Sequence, residues 1–221
     1  MNIIILGPQG SGKGTQAELL AQKYNLEHID VGKTLREAAK LKTPLGKEIY
    51  EILNVKRTLV PNEIFEKVFK LKLALLSREQ GTIVDGAPRM KDQIKNLEEA
   101  LLETGRKIDK VIFVNISDAE AVERISKRWI CQSCHNTFIM GLDVKREKDL
   151  CPKCGGQISQ RADDTPEGVK KRLEVFKEET LPVIEYYKKQ DLVLEINGEQ
   201  PIEKVFADIQ NHITHNMEHG T

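Results

Sequence analysis

The sequence predicts an α/β fold in which helices flank a parallel five-stranded sheet and one metal-binding segment is inserted. Short β-rich runs alternate with longer helical runs along most of the chain. A glycine-rich loop separates the first strand from the first helix, and a segment with all four cysteines interrupts the later part of the pattern. The 221 residues are enough for one such domain with an insertion and a substantial core.

The individual elements follow from this alternation. Strands are predicted at residues 2–6, 27–30, 82–85, 110–116 and 192–196, and helices at residues 13–24, 62–77, 92–103 and 165–189. Pro166 stands at the start of the last helix, where its missing N–H costs nothing, whereas Pro182 lies inside it and should bend or split it. Residues 33–76 give no strand signal and are predicted to form several helices in succession.

The overall charge and hydropathy exclude several classes of protein. Lysines and arginines number 34 and so do the acids, so no net charge attracts the chain to nucleic acid or to an anionic membrane. No apolar run approaches the roughly 20 residues of a membrane-spanning helix, and residues 1–6 form a strand pattern without the basic region of a signal peptide. We therefore expect a cytoplasmic protein with no nucleic-acid or membrane partner. It should be a monomer, since no heptad pattern suggests assembly.

The loop after the first strand has the composition of a phosphate-binding loop. It reads Gly7-Pro8-Gln9-Gly10-Ser11-Gly12-Lys13-Gly14-Thr15, which fits G-x-x-x-x-G-K with one glycine inserted before the threonine. Glycines let backbone N–H groups converge on phosphate oxygens, and the following helix adds the positive end of its dipole. The candidate phosphate ligands are Gly10, Ser11, Gly12, Lys13, Gly14 and Thr15. The loop predicts a P-loop NTPase-like fold, although by itself it does not distinguish kinases from GTPases.

The four cysteines have the spacing of a metal site. Cys131-x2-Cys134 and Cys151-x2-Cys154 enclose 16 residues, which is typical of a tetrahedral four-thiolate zinc centre. Four thiolates would leave no open coordination position, so such a zinc ion would be structural. Reduced or disulfide-linked cysteines and a four-iron cluster are the alternatives. A zinc ribbon for nucleic acid is disfavoured by the zero net charge.

Several motifs together resemble the adenylate kinase family. They are the loop at residues 7–16, Asp85-Gly86-Ala87-Pro88-Arg89, residues 160–164 with Arg172, and the pair Arg124 and Arg128. The resemblance extends from Met1 to about residue 206. It implies a core of residues 1–30, 61–128 and 161–214, an acceptor-binding helical segment at 31–60, a zinc-binding lid at 129–160, and a flexible tail at 215–221.

The resemblance also implies roles for individual residues. Transfer of a phosphoryl group between two nucleotides concentrates negative charge, which positioned cations must stabilise. The catalytic cations would be Lys13, Arg89, Arg124, Arg161 and Arg172. ATP would also contact Arg128, Thr137, Phe138 and Gln200. AMP would contact Val31, Arg36, Thr58, Leu59, Val60, Gly86, Ala87, Pro88, Arg89, Gln93, Arg161 and Arg172. Asp85 would hold Mg²⁺ through water. Asp163 and Asp164 would either orient arginines or form an acidic pair at a helix N-terminus.

The function implied is that of an adenylate kinase, the reversible transfer of the terminal phosphoryl group of MgATP to AMP, giving two ADP. The acceptor side departs from the family pattern: Asp30-Val31-Gly32-Lys33 replaces Ser-Thr-Gly-Asp, Arg57-Thr58-Leu59-Val60 replaces a glycine-containing stretch, and Ala87 replaces phenylalanine. These departures leave two alternatives, a kinase for UMP, CMP or a deoxynucleotide and a weakly catalytic nucleotide sensor. Gln93 favours adenine as the acceptor base.

Overall fold

A computed structural model describes residues 1–56, 58–134, 136–141, 143–145, 149–160 and 164–218, except for the side chains of Asn54 and residues 214–218. Its main sheet has five parallel strands, which confirms the predicted fold class. They are β1 (Asn2–Leu6), β2 (Glu27–Asp30), β3 (Thr82–Asp85), β4 (Lys110–Asn115) and β8 (Val193–Asn197). The spatial order is β2-β3-β1-β4-β8. Strand β4 ends one residue earlier than predicted, and β8 is shifted by one residue.

Both faces of the main sheet are covered by helices, because its central strands are apolar on both sides. Ile3 and Ile5 of β1 join the cluster formed with α1 (Lys13–Tyr24) and α9 (Ile202–Glu218). Ile4 and Leu6 join the opposite cluster, to which α4 (Asn62–Ala74), α5 (Lys91–Glu103) and α8 (Leu181–Lys188) contribute. The continuous apolar run of β1 is therefore what a doubly covered parallel strand requires.

The segment between β2 and β3 confirms the predicted succession of helices. After β2 come α2 (Val31–Ala38), α3 (Pro44–Tyr50) and a π-helical segment (Glu51–Lys56), which lead into α4. The Asp30 carboxylate caps α2 by accepting a hydrogen bond from the backbone N–H of Lys33, at 2.8 Å.

The inserted segment forms a second, smaller sheet. Helix α6 (Asp118–Ser126) leads into β5 (Arg128–Cys131), which pairs antiparallel with β6 (Thr137–Ile139) and β7 (Ile158–Ser159). Its core is small, and consists of Cys131, Phe138, Val144, Cys151 and Ile158.

The predicted helix at 165–189 is split, as Pro182 suggested. It comprises α7 (Pro166–Val175), a π-helical segment (Phe176–Thr180) and then α8, in whose first turn Pro182 lies. The proline has no N–H, and its ring excludes the carbonyl four residues before it, so the preceding turn widens.

The last helix, α9, is not among the helices predicted from the sequence. The backbone of α9 is helical to Glu218, four residues into the segment proposed as a tail, and residues 219–221 lie outside the described part. Val205, Ile209 and Ile213 form the buried stripe that docks the helix on the sheet. No helix among the described residues is both long and apolar enough to cross a membrane.

Candidate active site

The phosphate loop connects β1 to α1 at the carboxyl edge of the sheet. Gly10 and Gly12 have φ angles of 84° and 83°, which L side chains rarely adopt. A Cβ on Gly7 would lie 2.4 Å from the Val114 carbonyl oxygen, so the loop packs directly on β4. Gly12 is the N-cap of α1 and supplies no side-chain cap. The first N–H groups of α1, from Lys13 through Gly14 and Thr15, therefore face the loop with the positive end of the helix dipole.

Lys13 provides the charge at the centre of this loop. Its ammonium nitrogen lies 3.4 Å from the Pro8 carbonyl oxygen, and its side chain is half-buried. Burial lowers the pKa of Lys13, the nearby Asp85 carboxylate opposes that effect, and the positive charges of Arg89 and Arg128 add to it. The structure thus brings Lys13, Arg89 and Arg128, which are far apart in sequence, into one electrostatic neighbourhood.

Asp85 lies beside this lysine, at the carboxyl end of β3. It is 6% exposed and is in register with Asp30 on β2. A Cβ on Gly14 would lie 3.2 Å from Asp85 Oδ2, so the carboxylate packs against the first turn of α1. Two carboxylates at adjacent strand ends, next to a phosphate loop, form a suitable environment for a hydrated Mg²⁺ ion.

His28 completes this carboxylate group. Its Nε2 lies 3.6 Å from Asp85 Oδ2, which is an ionic contact rather than a hydrogen bond. Burial alone would lower the pKa of His28, but the carboxylates of Asp85, Asp30 and Glu18 together raise it above its usual value. The histidine therefore gains positive charge next to Asp85.

The segment after β3 fixes Arg89 by three contacts. Its Nε donates to the Gly86 carbonyl at 2.7 Å, its backbone N–H donates to Gln93 Oε1 at 2.8 Å, and its carbonyl accepts from Thr180 Oγ1 at 3.0 Å. Gly86 has a φ of 76°, and a Cβ there would lie 2.9 Å from the Arg89 guanidinium. Gln93 is buried, and since its oxygen is engaged, its NH₂ group is the end that can donate to a ligand.

Three apolar residues at positions that depart from the family pattern are buried. Val31, Val60 and Ala87 all belong to the same core cluster, and Ala87 forms a cis peptide bond with Pro88. The smaller side chain at 87 and the apolar one at 31 are therefore accommodated by the core.

Several polar residues of the acceptor side are more exposed than these apolar residues. Arg36 is half-buried, and its Nη2 lies 3.9 Å from Asp30 Oδ2. Thr58 and Lys33 have exposed side chains, and Leu59 is half-buried. Arg57 lies outside the described residues.

The arginines at the base of the inserted segment are held by two acids. Arg124 Nε donates to Glu120 Oε1 at 2.6 Å, and its Nη1 reaches the Gly10 carbonyl at 3.4 Å. Arg128 donates to both oxygens of Asp164, at 2.9 and 2.5 Å, and Arg172 Nη2 donates to Asp164 Oδ1 at 2.8 Å. The Asp164 side chain is fully buried, so of the two roles considered for it the structure supports orienting arginines. Arg161 and Asp163 lie outside the described residues.

The remaining residues assigned to ATP lie on β6 and just before α9. Thr137 is exposed on β6, whereas Phe138 is buried in the core of the small sheet. The Gln200 amide donates to the Asn197 carbonyl at 3.0 Å and to Asp208 Oδ2 at 2.9 Å, before the start of α9.

The four cysteines converge as their spacing predicts. All four are free, and their sulfur atoms lie within 4.8 Å of one another, far beyond the roughly 2.05 Å of a disulfide bond. The closest pairs are 3.5 and 3.6 Å apart, close to the roughly 3.8 Å expected between sulfurs that each lie about 2.3 Å from one tetrahedral zinc ion.

The surroundings of the sulfurs also suit a metal thiolate centre. The backbone N–H groups of Ser133 and Cys134 donate to Cys131 Sγ at 3.4 Å, and Asn136 Nδ2 donates to Cys134 Sγ at 3.1 Å. The Asn136 side chain and backbone lower the pKa of the Cys134 thiol to about 6. Gly156 is required by close approach, since a Cβ there would lie 3.0 Å from Cys131 Sγ.

Sequence reasoning did not assign site roles to His28, Glu120 or Thr180. Glu120 had a signal, because it precedes Arg124 by four residues on one helix. His28 and Thr180 had none, because each meets its partner only through the tertiary fold.

The adenylate kinase family model matches residues 5–192. The adenylate kinase of Caldicellulosiruptor saccharolyticus is 43% identical over 202 residues, covering 91% of this chain and 94% of the relative. That of Archaeoglobus fulgidus is 40% identical over 95% of this chain and 96% of the relative, and that of Syntrophomonas wolfei is 38% identical over 96% and 99%.

Proposed function

The chain belongs to the adenylate kinase family, and we propose that its loop at residues 7–15 binds the donor ATP while residues 31–60 and 85–93 bind the acceptor AMP. The reaction of the family is the reversible transfer of the terminal phosphoryl group of ATP to AMP, and this chain is an ATP:AMP phosphotransferase. What remains to be assigned is which of its residues performs each part.

The observation that carries the assignment is the group of charges around the phosphate loop. Lys13 lies among Asp85, Arg89 and Arg128, and Arg124 contacts the Gly10 carbonyl. Phosphoryl transfer needs positioned positive charge on the moving group, and it needs little covalent chemistry from the protein. In our proposal the N–H groups of the phosphate loop and Lys13 hold the donor phosphates. The three arginines just named, each from a different part of the chain, stabilise the transferred group.

The acceptor site follows from the fixed position of Arg89. Its guanidinium is anchored on Gly86, so it can meet the AMP phosphate without reorganising, and Arg36 supplies a second cation. The buried Gln93 presents its NH₂ group to an adenine edge, and Val31, Val60 and Ala87 are buried apolar residues of the proposed acceptor segments.

We propose two metal ions with different roles. Mg²⁺ accompanies ATP and, when bound, neutralises phosphate charge; Asp85 would orient its waters, with Asp30 beside it. The four-cysteine cluster would hold one structural Zn²⁺, since four thiolates leave no open position for a substrate. We further propose that the protein is a cytoplasmic monomer with no nucleic-acid partner.

A panel of acceptors in a coupled ADP assay tests the acceptor assignment. We expect AMP to be phosphorylated with a higher kcat/KM than UMP, CMP or dAMP. Lys13→Ala should reduce turnover about 100-fold or more, as expected for loss of a transition-state cation. The matched control is Lys23→Ala, which removes an exposed lysine from the same helix. Preference for another base, or near-normal turnover by a folded Lys13→Ala protein, would contradict the assignment.

A further inference from the structure

A line of polar contacts runs from the cysteine cluster to the core. Asn136 Nδ2 donates to Cys134 Sγ at 3.1 Å, and Asn136 Oδ1 accepts from Lys153 Nζ at 2.9 Å. The same Lys153 ammonium lies 3.7 Å from Glu18 Oε1 on α1. The inserted segment is thus tied, far from its own base, to the helix that begins at the phosphate loop.

Glu18 lies on α1 close to the phosphate loop. Helix α1 starts at Lys13, so Glu18 lies only about 7.5 Å further along the helix axis. At the base of the segment, among the contacts of the described residues, Gln160 Nε2 donates to the Ser126 carbonyl. The Lys153–Glu18 pair instead holds the far part of the segment next to the loop that receives the donor phosphates.

An exposed lysine–glutamate pair usually contributes little, because both long side chains must be immobilised. Both side chains here are about half exposed, 53% for Lys153 and 51% for Glu18. Lys153, however, is restricted in two ways: its backbone lies between the cluster residues Cys151 and Cys154, and its ammonium is held by Asn136. Folding of the cysteine cluster therefore already restricts Lys153, so the Lys153–Glu18 contact costs less side-chain entropy.

We propose that Lys153 and Glu18 form a latch that favours the closed position of the segment at 129–160, with Asn136 as the positioning residue that aims the lysine. This rests on the proposed function of that segment as the lid over ATP. The cysteine cluster then has a second role besides stability, since it orients the group through which the lid is held on α1.

A double-mutant cycle on ATP binding tests the latch. Lys153→Gln and Glu18→Gln should each raise the Kd for ATP by about two- to five-fold, the range expected for a single ion pair at a surface. The double variant should be no weaker than either single variant. The KM for AMP should not change, and the difference from wild type should disappear at high ionic strength.

Lys145→Gln, which removes an exposed lysine from the same segment, is the matched control. Asn136→Ala should weaken ATP binding only while Lys153 is present.

Closure of the segment at 129–160 can be measured without turnover by the fluorescence of Trp129. This residue is the single tryptophan and lies at the base of the segment. Glu18 lies outside the cysteine cluster, so Glu18→Gln keeps the test valid even if Lys153→Gln loses metal. An unchanged Kd for ATP in Glu18→Gln, additive effects in the double variant, or effects that persist at high salt would each overturn the latch. Failure of the wild-type protein to phosphorylate AMP would overturn the proposed function instead, while the binding cycle would still decide on the latch.

Discussion

Protonation of His28 changes the charge next to Asp85, the residue proposed to orient the waters of Mg²⁺. The histidine faces three carboxylates, from Asp85, Asp30 and Glu18, on β3, on its own strand β2 and on α1. Lys13 lies on the other side of Asp85, so this carboxylate is shared between two basic groups in the absence of nucleotide. The charge of His28 therefore affects both the fold and the field at the phosphate loop.

The pH dependence of stability should reveal this histidine. Because the folded-state pKa of His28 is raised, folding favours its protonated form. This contribution is fully present below the unfolded pKa of about 6.5 and is lost as the pH rises through the higher folded value. We therefore expect the free energy of unfolding of the wild-type protein, relative to His28→Gln, to fall as the pH increases from about 6.5.

Denaturant unfolding at a series of pH values, without nucleotide or magnesium, measures this difference. A relative stability that rises with pH would show that burial, which lowers the pKa, dominates over the carboxylates.

At the scale of elements, Asp164 joins the inserted segment to α7. Its fully buried carboxylate accepts hydrogen bonds from Arg128 on β5 and Arg172 on α7. Without it Arg128 and Arg172 would each lose a charged hydrogen-bond partner. Asp164→Asn should therefore lower the free energy of unfolding by roughly 1.5–3 kcal/mol, the range for hydrogen bonds to charged groups, and should reduce kcat because both arginines are less firmly oriented.

The control for Asp164 is Asp118, which forms an ion pair with Lys177 at the surface. Its side chain is 54% exposed, so Asp118→Asn should cost less than about 1 kcal/mol and leave kcat unchanged. Equal effects of the two substitutions in chemical denaturation would show that Asp164 is not an organising residue.

The small sheet should depend on its metal. Among the residues that the structure describes, its core comprises five buried hydrophobic residues, two of them cysteines, and a core of this size is too small to stabilise a sheet without a further constraint. We expect elemental analysis to find one zinc ion per chain. Removal of the ion, or Cys154→Ser, should lower Tm and abolish hydrogen-exchange protection in β5–β7, while β1, β3 and β4 keep theirs. Full protection of β5–β7 in protein proven free of metal would contradict a structural metal site.

The sequence predicts the main strands and the cysteine cluster, but not the contacts that depend on the tertiary fold. The main strands were located to within one residue, because a strand such as β1, with Ile3, Ile4 and Ile5 all buried, must be covered on both faces. The cysteine cluster followed from spacing alone. The pairing of β5 with β6 and β7, the bridge at Asp164 and the contact of Lys153 with Glu18 did not, because each joins residues whose proximity is set by the tertiary fold.

At the scale of the whole molecule, the phosphate loop and three of the charged candidate residues lie at the carboxyl edge of the main sheet. The phosphate loop follows β1, Asp30 ends β2, Asp85 ends β3, and α6 with Arg124 follows β4. Parallel strands place these ends side by side, which is where ligands bind in open α/β sheets. We therefore propose that the two nucleotides meet with their phosphates in line between the segment at 31–60 and the segment at 129–160.

This arrangement predicts a large advantage for a ligand that fills both sites. Two adenosines joined through five phosphates should bind with a Kd about 100-fold or more below that of ATP or AMP, because the second half binds at high effective concentration. Transfer must also exclude water, so binding should close the two segments over the ligand. Closure should change Trp129 fluorescence and reduce the radius of gyration measured by X-ray scattering. A ligand with only three bridging phosphates is the control and should lose most of the gain, since it is too short to span both sites. If the longer ligand bound no better than ATP and produced no change in fluorescence or scattering, the donor and acceptor sites would not lie in one closing cleft.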